Sequence, residues 1–284
     1  MPSQLFSPIR LGNLDLPNRV VVAPMCQYSA HDGVMNDWHL VHLGQFALSG
    51  AGLVITEAAG VEPEGRITPG CVGLYSDETE AAMARVIEFY RDFGSAKIGI
   101  QLAHAGRKGS AEVPWKGGTP LPADDPRAWQ TESASAVPYA PTAPTPQALD
   151  DAGLARIKTA FVDAARRSLR LGYDVIELHA AHGYLLHQFL SPLSNQRNDA
   201  YGGDLAGRMK FPLEVFEAVH AVCPAGYPLG VRVSATDWVD GGWNLADTVA
   251  FAQELEKRGC VFIDVSSGGN SPQQQIPAGP GYQT

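Results

Sequence analysis

The sequence contains few cysteines, and their spacing narrows the class of protein. Only four of the 284 residues are cysteine, and no two of them form a Cys-x-x-Cys pair. This argues against a zinc knuckle and a disulfide framework and is typical of a reducing compartment, so we expect a cytoplasmic protein. The four positions are Cys26, Cys71, Cys223 and Cys260.

The chain also lacks an excess of positive charge and any long apolar run. It carries 21 Lys and Arg against 30 Asp and Glu, for a net charge of −9. Because an acidic chain repels phosphate backbones, general nucleic-acid binding is disfavoured. No apolar run approaches the ~18 residues of a membrane span, and the first residues lack the basic-then-apolar layout of a signal peptide. We therefore expect neither a nucleic acid nor a membrane as a partner.

Short β-rich runs alternate with longer helical patterns along the chain. Gly12-Asn13, between Ile9–Leu11 and Leu14–Leu16, predicts an N-terminal β-hairpin. Continuous short apolar runs further on predict parallel strands that are covered on both faces. The six candidate strands are Val20–Ala23, Leu53–Thr56, Ile98–Leu102, Val175–Leu178, Leu229–Val233 and Val261–Val265.

Apolar residues at spacings of three and four predict helices between these strands. The candidates are Trp38–Leu48, Asp77–Phe93, Asp151–Leu171, Arg208–Val222 and Leu245–Arg258. Glycines suited to ending a helix follow four of them, namely Gly50, Gly94, Gly172 and Gly259. Repeated βα units imply an α/β fold with a parallel sheet, and periodicity alone leaves a closed barrel and an open sheet as alternatives.

Residues 105–147 interrupt this alternation. The segment is rich in Pro, Gly, Ala and Trp, and so long a linker without regular structure is uncommon inside a domain. We interpret it as a loop excursion over the end of the third strand, with Trp115 and Trp129 as anchors of a lid. A passive surface insertion is the alternative. We treat 1–284 as a single domain.

Polar side chains lie at the ends of several predicted strands. Gln101 lies in the third, His179 ends the fourth, and Arg232 lies in the fifth, while His182 and Tyr184 follow His179 closely. In a parallel barrel, the carboxyl ends of the strands converge on one mouth, where active sites are found. We therefore expect these groups to meet.

The run from His179 to Tyr184 allows three interpretations. Two histidines could bind zinc, but a catalytic zinc needs a third ligand and usually a general base, and the chain has no His-Glu-x-x-His helix. They could instead be buried histidines that are satisfied by the backbone. In the third interpretation, two imidazoles hold one carbonyl oxygen while Tyr184 delivers a proton. We favour the third, which suits reduction of a conjugated carbonyl compound.

Such a reduction needs a hydride carrier. Gly50-Ala51-Gly52 precedes a strand rather than opening a helix, so a Rossmann nucleotide site is not supported, and the chain has no P-loop. A flavin in the mouth of the barrel is the remaining carrier. Gln101 could bind the pyrimidine edge of its ring, and Arg232 could place positive charge near N1.

Six segments together resemble a known family and span nearly the whole chain in order. They are LPNRVVVAPMCQYS (16–29), ITEAAGVEPEGRI (55–67), IGIQLAHAGRK (98–108), IELHAAHGYLLHQFLSPLSNQRNDAYGG (176–203), RVSATDW (232–238) and IDVSSGG (263–269). The chain resembles the old yellow enzyme family of flavin-dependent ene-reductases. It is most similar to the bacterial subgroup that carries a cysteine beside the flavin, typified by xenobiotic reductase.

The resemblance implies a TIM (β/α)8-type barrel with FMN as cofactor and NAD(P)H as reductant. It implies hydride transfer from FMN to the activated C=C bond of an α,β-unsaturated carbonyl compound. His179 and His182 would hold the substrate oxygen, Tyr184 would donate a proton and Tyr28 would line the substrate pocket, with no metal. The residues that would contact the flavin are Ala23, Pro24, Met25, Cys26, Gly60, Gln101 and Arg232.

The family barrel has eight strands, and this sequence encodes six of them. In the family, strands 7 and 8 carry the FMN phosphate site. We therefore expect a homo-oligomer, or a complementary fragment that supplies strands 7 and 8. Two rival hypotheses are a non-catalytic, flavin-free fragment that needs such a partner, and a metal-dependent barrel hydrolase that uses His179 and His182.

Overall fold

The computed structural model describes residues 3–277 and 279. Its strands are β1 Ile9–Leu11, β2 Leu14–Leu16, β3 Val21–Val22, β4 Leu53–Gly60, β5 Lys97–Ala103, β6 Glu132–Ser133, β7 Gln147–Ala148, β8 Val175–Ala180, β9 Leu229–Ser234 and β10 Phe262–Ser266. Its helices are α1 Asp37–Ala47, α2 Asp77–Phe93, α3 Asp151–Leu171, α4 Leu185–Leu190, α5 Leu205–His220 and α6 Leu245–Lys257. Within the described residues, no helix combines the length and apolar character needed to cross a membrane.

Six strands form one parallel sheet in the order β10-β9-β8-β5-β4-β3. Helices separate successive strands, as in a βα barrel. This confirms the predicted α/β class and six parallel strands of a TIM-type barrel. The hairpin β1–β2 is also confirmed, with Ile9 opposite Leu16 and Leu11 opposite Leu14.

Local capping groups explain where the helices begin. Asn36 and Ser76 each form a capping box, and Asp150 accepts a hydrogen bond from the Gly153 N–H. At the other end of α3, Gly172 adopts φ +84°, the left-handed conformation that ends a helix. Gly94 does not, since its φ of −81° and ψ of 146° are extended. α2 therefore ends at the predicted glycine, but without the left-handed cap conformation.

The bounds of α2 and α3 match the prediction, whereas other elements differ. β3 contains two residues rather than four, and α5 begins at Leu205 instead of Arg208 because Asp204 caps it by accepting from the Gly207 N–H. The six-residue helix α4 was not predicted, since it is too short for a periodic pattern. The excursion 105–147 contains β6, the start of β7 and two short 3-10 turns.

The face of the sheet turned away from the helices changes character along the strands. Near their amino ends, Leu53, Ile55 and Val175 form a buried apolar cluster with Leu16 of the hairpin. The hairpin is tied to the barrel because the Asn13 N–H donates to the Gly226 carbonyl at 2.8 Å. This end is closed by apolar packing, which leaves the carboxyl ends of the strands for polar groups.

Candidate functional site

The two histidines converge beyond the carboxyl end of β8. His179 lies within β8, and His182 occupies the following turn with φ +58°. His179 Nε2 and His182 Nδ1 are 3.3 Å apart, and the ring planes are nearly perpendicular at 84°. One nitrogen of each ring thus faces the other ring at hydrogen-bonding distance.

Burial keeps both imidazoles uncharged. It lowers the pKa of His179 well below its usual value, and His182 and Arg232 lower it further. Burial also lowers the pKa of His182 to about 3, with Arg232 and Lys108 acting in the same direction. Neutral rings can act as hydrogen-bond donors without bringing a fixed positive charge.

Tyr184 packs edge-on against this pair. Its ring centroid lies 4.9 Å from that of His179 and 6.4 Å from that of His182. Burial raises the pKa of the Tyr184 phenol well above its usual value, and Cys26 and Tyr28 add to the effect. The structure therefore brings together the three residues predicted from the His-x-x-His-x-Tyr spacing, with a protonated phenol beside two neutral imidazoles.

Gln101 and Glu177 form a hydrogen-bonded pair across neighbouring strands. They are register partners on β5 and β8, and Gln101 Nε2 donates to Glu177 Oε1 at 2.7 Å. Burial, followed by the nearby Asp264, raises the pKa of Glu177 well above its usual range. The uncharged form of this carboxyl group is therefore favoured, and the bond holds the Gln101 amide in one orientation.

Arg232 lies one strand further along the sheet. It is the register partner of His179 on β8 and of Asp264 on β10. Its Nε lies 3.1 Å from Asp264 Oδ2, its one ion pair among residues 3–277 and 279. The side chain is mostly buried, so its positive charge acts in surroundings that screen it weakly.

The predicted flavin segment Ala23–Cys26 follows β3 as irregular chain at the edge of the sheet. The side chains of Ala23 and Met25 are exposed, and those of Pro24 and Cys26 are half-buried. Burial raises the pKa of the Cys26 thiol well above its usual value, so this cysteine is a neutral thiol. Gly60 donates its N–H to the Val72 carbonyl at 2.9 Å. Because this N–H is already bonded, packing is the contact that remains for Gly60 with a neighbouring group.

Tyr28 links this segment to the excursion 105–147. It adopts φ +52°, and its ring meets that of Trp115 edge-on with 5.6 Å between centroids. Trp129 instead donates its indole N–H to the Glu64 carbonyl. Both tryptophans thus contact elements outside the excursion.

Sequence reasoning missed several polar groups at the site. Glu177 and Asp264 are two residues before His179 and Ser266 on their strands, so period-two alternation could have placed them on the same face. Glu57 sits at a register shift in β4, which sequence does not reveal. Lys108 also contributes, since its ammonium donates to the His182 carbonyl at 2.8 Å and to the Gly269 carbonyl at 2.7 Å.

A second polar cluster lies beside the site and contains Glu62, His104 and Glu132. Their ligand atoms lie within 4.8 Å of one another, close enough for a metal ion. However, the Arg156 guanidinium bonds to both glutamates, and His104 Nε2 lies 2.9 Å from Glu62 Oε1. The cation among these carboxylates is therefore an arginine, and the cluster is an ion-pair network that ties α3 to the strand ends.

Comparison with known proteins places the chain among flavin enzymes. The model of the NADH:flavin oxidoreductase / NADH oxidase family matches residues 4–274. An NADH:flavin oxidoreductase of Gibberella zeae is 43% identical over 99% of this chain and 71% of its own. The NADPH dehydrogenase of Bacillus subtilis is 41% identical over 100% of this chain and 78% of its own.

Solved structures agree with this placement. Morphinone reductase superposes with a TM-score of 0.81 at 30% identity, over 99% of this chain and 76% of that chain. An old yellow enzyme homologue from Zymomonas mobilis superposes with a TM-score of 0.78 at 27% identity, over 93% and 73%. The chain therefore belongs to the NADH:flavin oxidoreductase / NADH oxidase family, the old yellow enzyme family, whose members are FMN-dependent oxidoreductases with NAD(P)H as reductant.

Proposed function

We propose that this oxidoreductase reduces the activated C=C bond of α,β-unsaturated carbonyl compounds. FMN, once reduced by NAD(P)H, supplies the hydride. The observation that carries the proposal is the approach of His179 Nε2 to within 3.3 Å of His182 Nδ1. Two neutral imidazoles with nitrogens this close are suited to holding one carbonyl oxygen while negative charge builds up on it, once each ring carries its proton on the facing nitrogen.

Tyr184 is the proton donor in this proposal. A phenol whose pKa burial has raised keeps its proton at neutral pH, so the proton is present when a carbanion-like centre develops. The edge-on contact between the Tyr184 and His179 rings supports a position for the phenol beside the proposed oxygen-binding point. Oxygen binding and proton delivery are thereby assigned to different side chains.

The residues at the mouth fit the isoalloxazine ring of FMN. Because Gln101 gives one amide hydrogen to Glu177, its carbonyl oxygen and second hydrogen remain for the edge of the flavin. Arg232 brings a mostly buried guanidinium to the same region, where it pairs with Asp264 and where the uncharged form of Glu177 adds no second negative charge. We assign Gln101 and Arg232 to the pyrimidine edge, and Ala23 to Cys26 together with Gly60 to packing against the ring.

We further propose that residues 105–147 form a lid over the substrate pocket, of which Tyr28 is a wall. The support is the edge-on contact between Trp115 and Tyr28. Trp115 is 68% exposed, so it reaches this contact from the solvent side. An aromatic side chain in that position would limit the size of substrate that enters.

We also propose that the two edges of the six-stranded sheet are covered in the working enzyme. An exposed strand edge offers unpaired backbone groups, and β10 presents Val265 with 64% of its surface exposed. Further βα units, from a second copy or from a complementary chain, would complete the barrel. The four cysteines are free thiols, which supports a cytoplasmic location.

The visible absorbance spectrum and a phenol titration test the proposed function. We expect bound flavin absorbance and a long-wavelength charge-transfer band when a para-substituted phenol binds. His179→Ala removes one of two donors to a charged oxygen and should weaken phenol binding about tenfold or more. His220→Ala, an exposed histidine on α5, is the matched control and should bind phenol as wild type does. Unchanged affinity and an unchanged band in His179→Ala would refute the oxygen-binding role.

A further inference from the structure

Ser266 contacts an active-site imidazole and has no part in the reaction as proposed above. Its Oγ lies 2.6 Å from His182 Nε2, the ring nitrogen opposite the one that faces His179. Ser266 is the last residue of β10, and its carbonyl accepts a hydrogen bond from the Ala235 N–H at 2.8 Å. Strand pairing therefore holds the backbone that presents this hydroxyl.

The hydrogen bonds determine where each ring carries its proton. His179 Nδ1 accepts from the Ala181 N–H at 3.2 Å, so the single proton of this neutral ring is on Nε2. That N–H points at His182 Nδ1, which accepts it. The proton of His182 is then on Nε2 and is donated to Ser266 Oγ. The resting arrangement is a chain of donors that ends at Ser266.

Binding a substrate oxygen requires a different arrangement. For both rings to donate to one oxygen, His182 must carry its proton on Nδ1. The ring loses the Nε2 proton and gains one at Nδ1, so it stays neutral and no net proton is consumed. His182 Nε2 then becomes an acceptor, and the neighbouring group that can donate to it is the Ser266 hydroxyl.

We propose that Ser266 is a positioning residue that lets His182 adopt the Nδ1–H tautomer when a substrate oxygen binds. A hydroxyl can accept from Nε2–H in the resting state and donate to bare Nε2 in the bound state, because its hydrogen rotates. An apolar side chain at this position could do neither. This inference rests on the oxygen-binding role proposed for His179 and His182.

Other groups hold the backbone of His182, so the role of Ser266 can be separated from folding. The His182 N–H donates to Ser234 Oγ at 2.9 Å, and its carbonyl accepts from the Lys108 ammonium. Ser234 Oγ in turn donates to the Gly268 carbonyl at 2.8 Å. Removing the Ser266 hydroxyl leaves all of these contacts in place.

The test is side-chain 15N NMR of His182 in the flavin-bound protein, with and without a para-substituted phenol, for wild type and Ser266→Ala. In wild type, phenol should convert His182 from the Nε2–H to the Nδ1–H tautomer. In Ser266→Ala, this conversion should be incomplete, and phenol should bind about fivefold to tenfold more weakly, the loss of one hydrogen bond. Ser266→Thr keeps the hydroxyl and should restore both.

Ser95→Ala, an exposed serine outside the site, is the matched control and should behave as wild type. Wild-type tautomer and affinity in Ser266→Ala would overturn the role of Ser266 while leaving the proposed function intact. A wild-type protein that binds flavin but no phenol would overturn the oxygen-binding role, and this inference with it. Should Ser266→Ala not fold, Ser266→Cys preserves the volume with a weak donor and should show the same partial loss.

Discussion

Glu57 is a buried carboxyl group whose ionisation should make the stability of the protein depend on pH. Its side chain is 3% exposed, and Oε2 accepts from the Gln27 N–H at 2.9 Å. Burial raises its pKa to about 7, against the opposing effect of that N–H. His39 Nε2 lies 3.5 Å from Oε1 but supplies no charge near neutral pH, because burial lowers the pKa of His39 to about 4.

The direction and the size of the pH effect on stability follow from the raised pKa of Glu57. The folded-state pKa lies above the unfolded value of 4.5, so the folded state holds this proton more tightly. The corresponding stability is complete below pH 4.5 and is lost as the pH rises through 7. One pKa unit corresponds to about 1.4 kcal/mol, which makes the total loss about 3 kcal/mol by pH 8. Most of that loss falls between pH 5 and pH 8.

Glu57→Gln removes the ionisation and should remove this part of the pH dependence. Urea unfolding of the flavin-bound protein at pH 5 and pH 8 measures it. Between pH 5 and pH 8, wild type should lose about 2 to 3 kcal/mol more of its free energy of unfolding than the variant loses. The control Glu88→Gln changes an exposed residue of α2 and should show no such shift. A variant that follows wild type at both pH values would refute the argument from burial.

Three further outcomes test the proposed roles. Tyr184→Phe should slow turnover of 2-cyclohexenone by about 10²-fold or more while the dissociation constant for phenol stays near wild type; equal turnover would exclude it as proton donor. Trp115→Ala should raise the turnover of bulky relative to small enones, and an unchanged ratio would contradict the lid. Analytical ultracentrifugation of the flavin-bound 284-residue chain should show an assembly larger than a monomer. A monodisperse monomer with the affinity for FMN that is ordinary in the family would contradict the proposal that the sheet edges are covered.

Much of the fold follows from local patterns that a sequence shows directly. The apolar spacing and Ser76 predict α2, and the same reasoning with Asp150 and Gly172 gives both ends of α3. The central strands follow from apolar runs, but in the structure they extend beyond the carboxyl ends of those runs. β4 continues through Glu57 and β8 continues through His179, because ladder hydrogen bonds with a neighbouring strand sustain a strand where hydrophobicity no longer does.

The candidate site also has one part that local spacing predicts and another part that it does not. His179, His182 and Tyr184 lie within six residues, so their spacing alone predicted that they would meet. The contact between Gln101 and Glu177 joins residues 76 positions apart, and that between Ser266 and His182 joins residues 84 apart. Such pairs depend on strand order and register, which local patterns do not specify.

The amino-acid sequence by itself therefore determined the alternation of strands and helices, the family and the identity of the groups that we propose to hold a substrate. These features depend on periodicity, capping and short spacings, which act within a few residues. Only the tertiary structure decided which nitrogen of each imidazole faces the other, which carboxyl groups have a raised pKa and which hydroxyl contacts His182. These properties depend on burial and on hydrogen bonds between distant strands, because desolvation and register exist only once the sheet has formed.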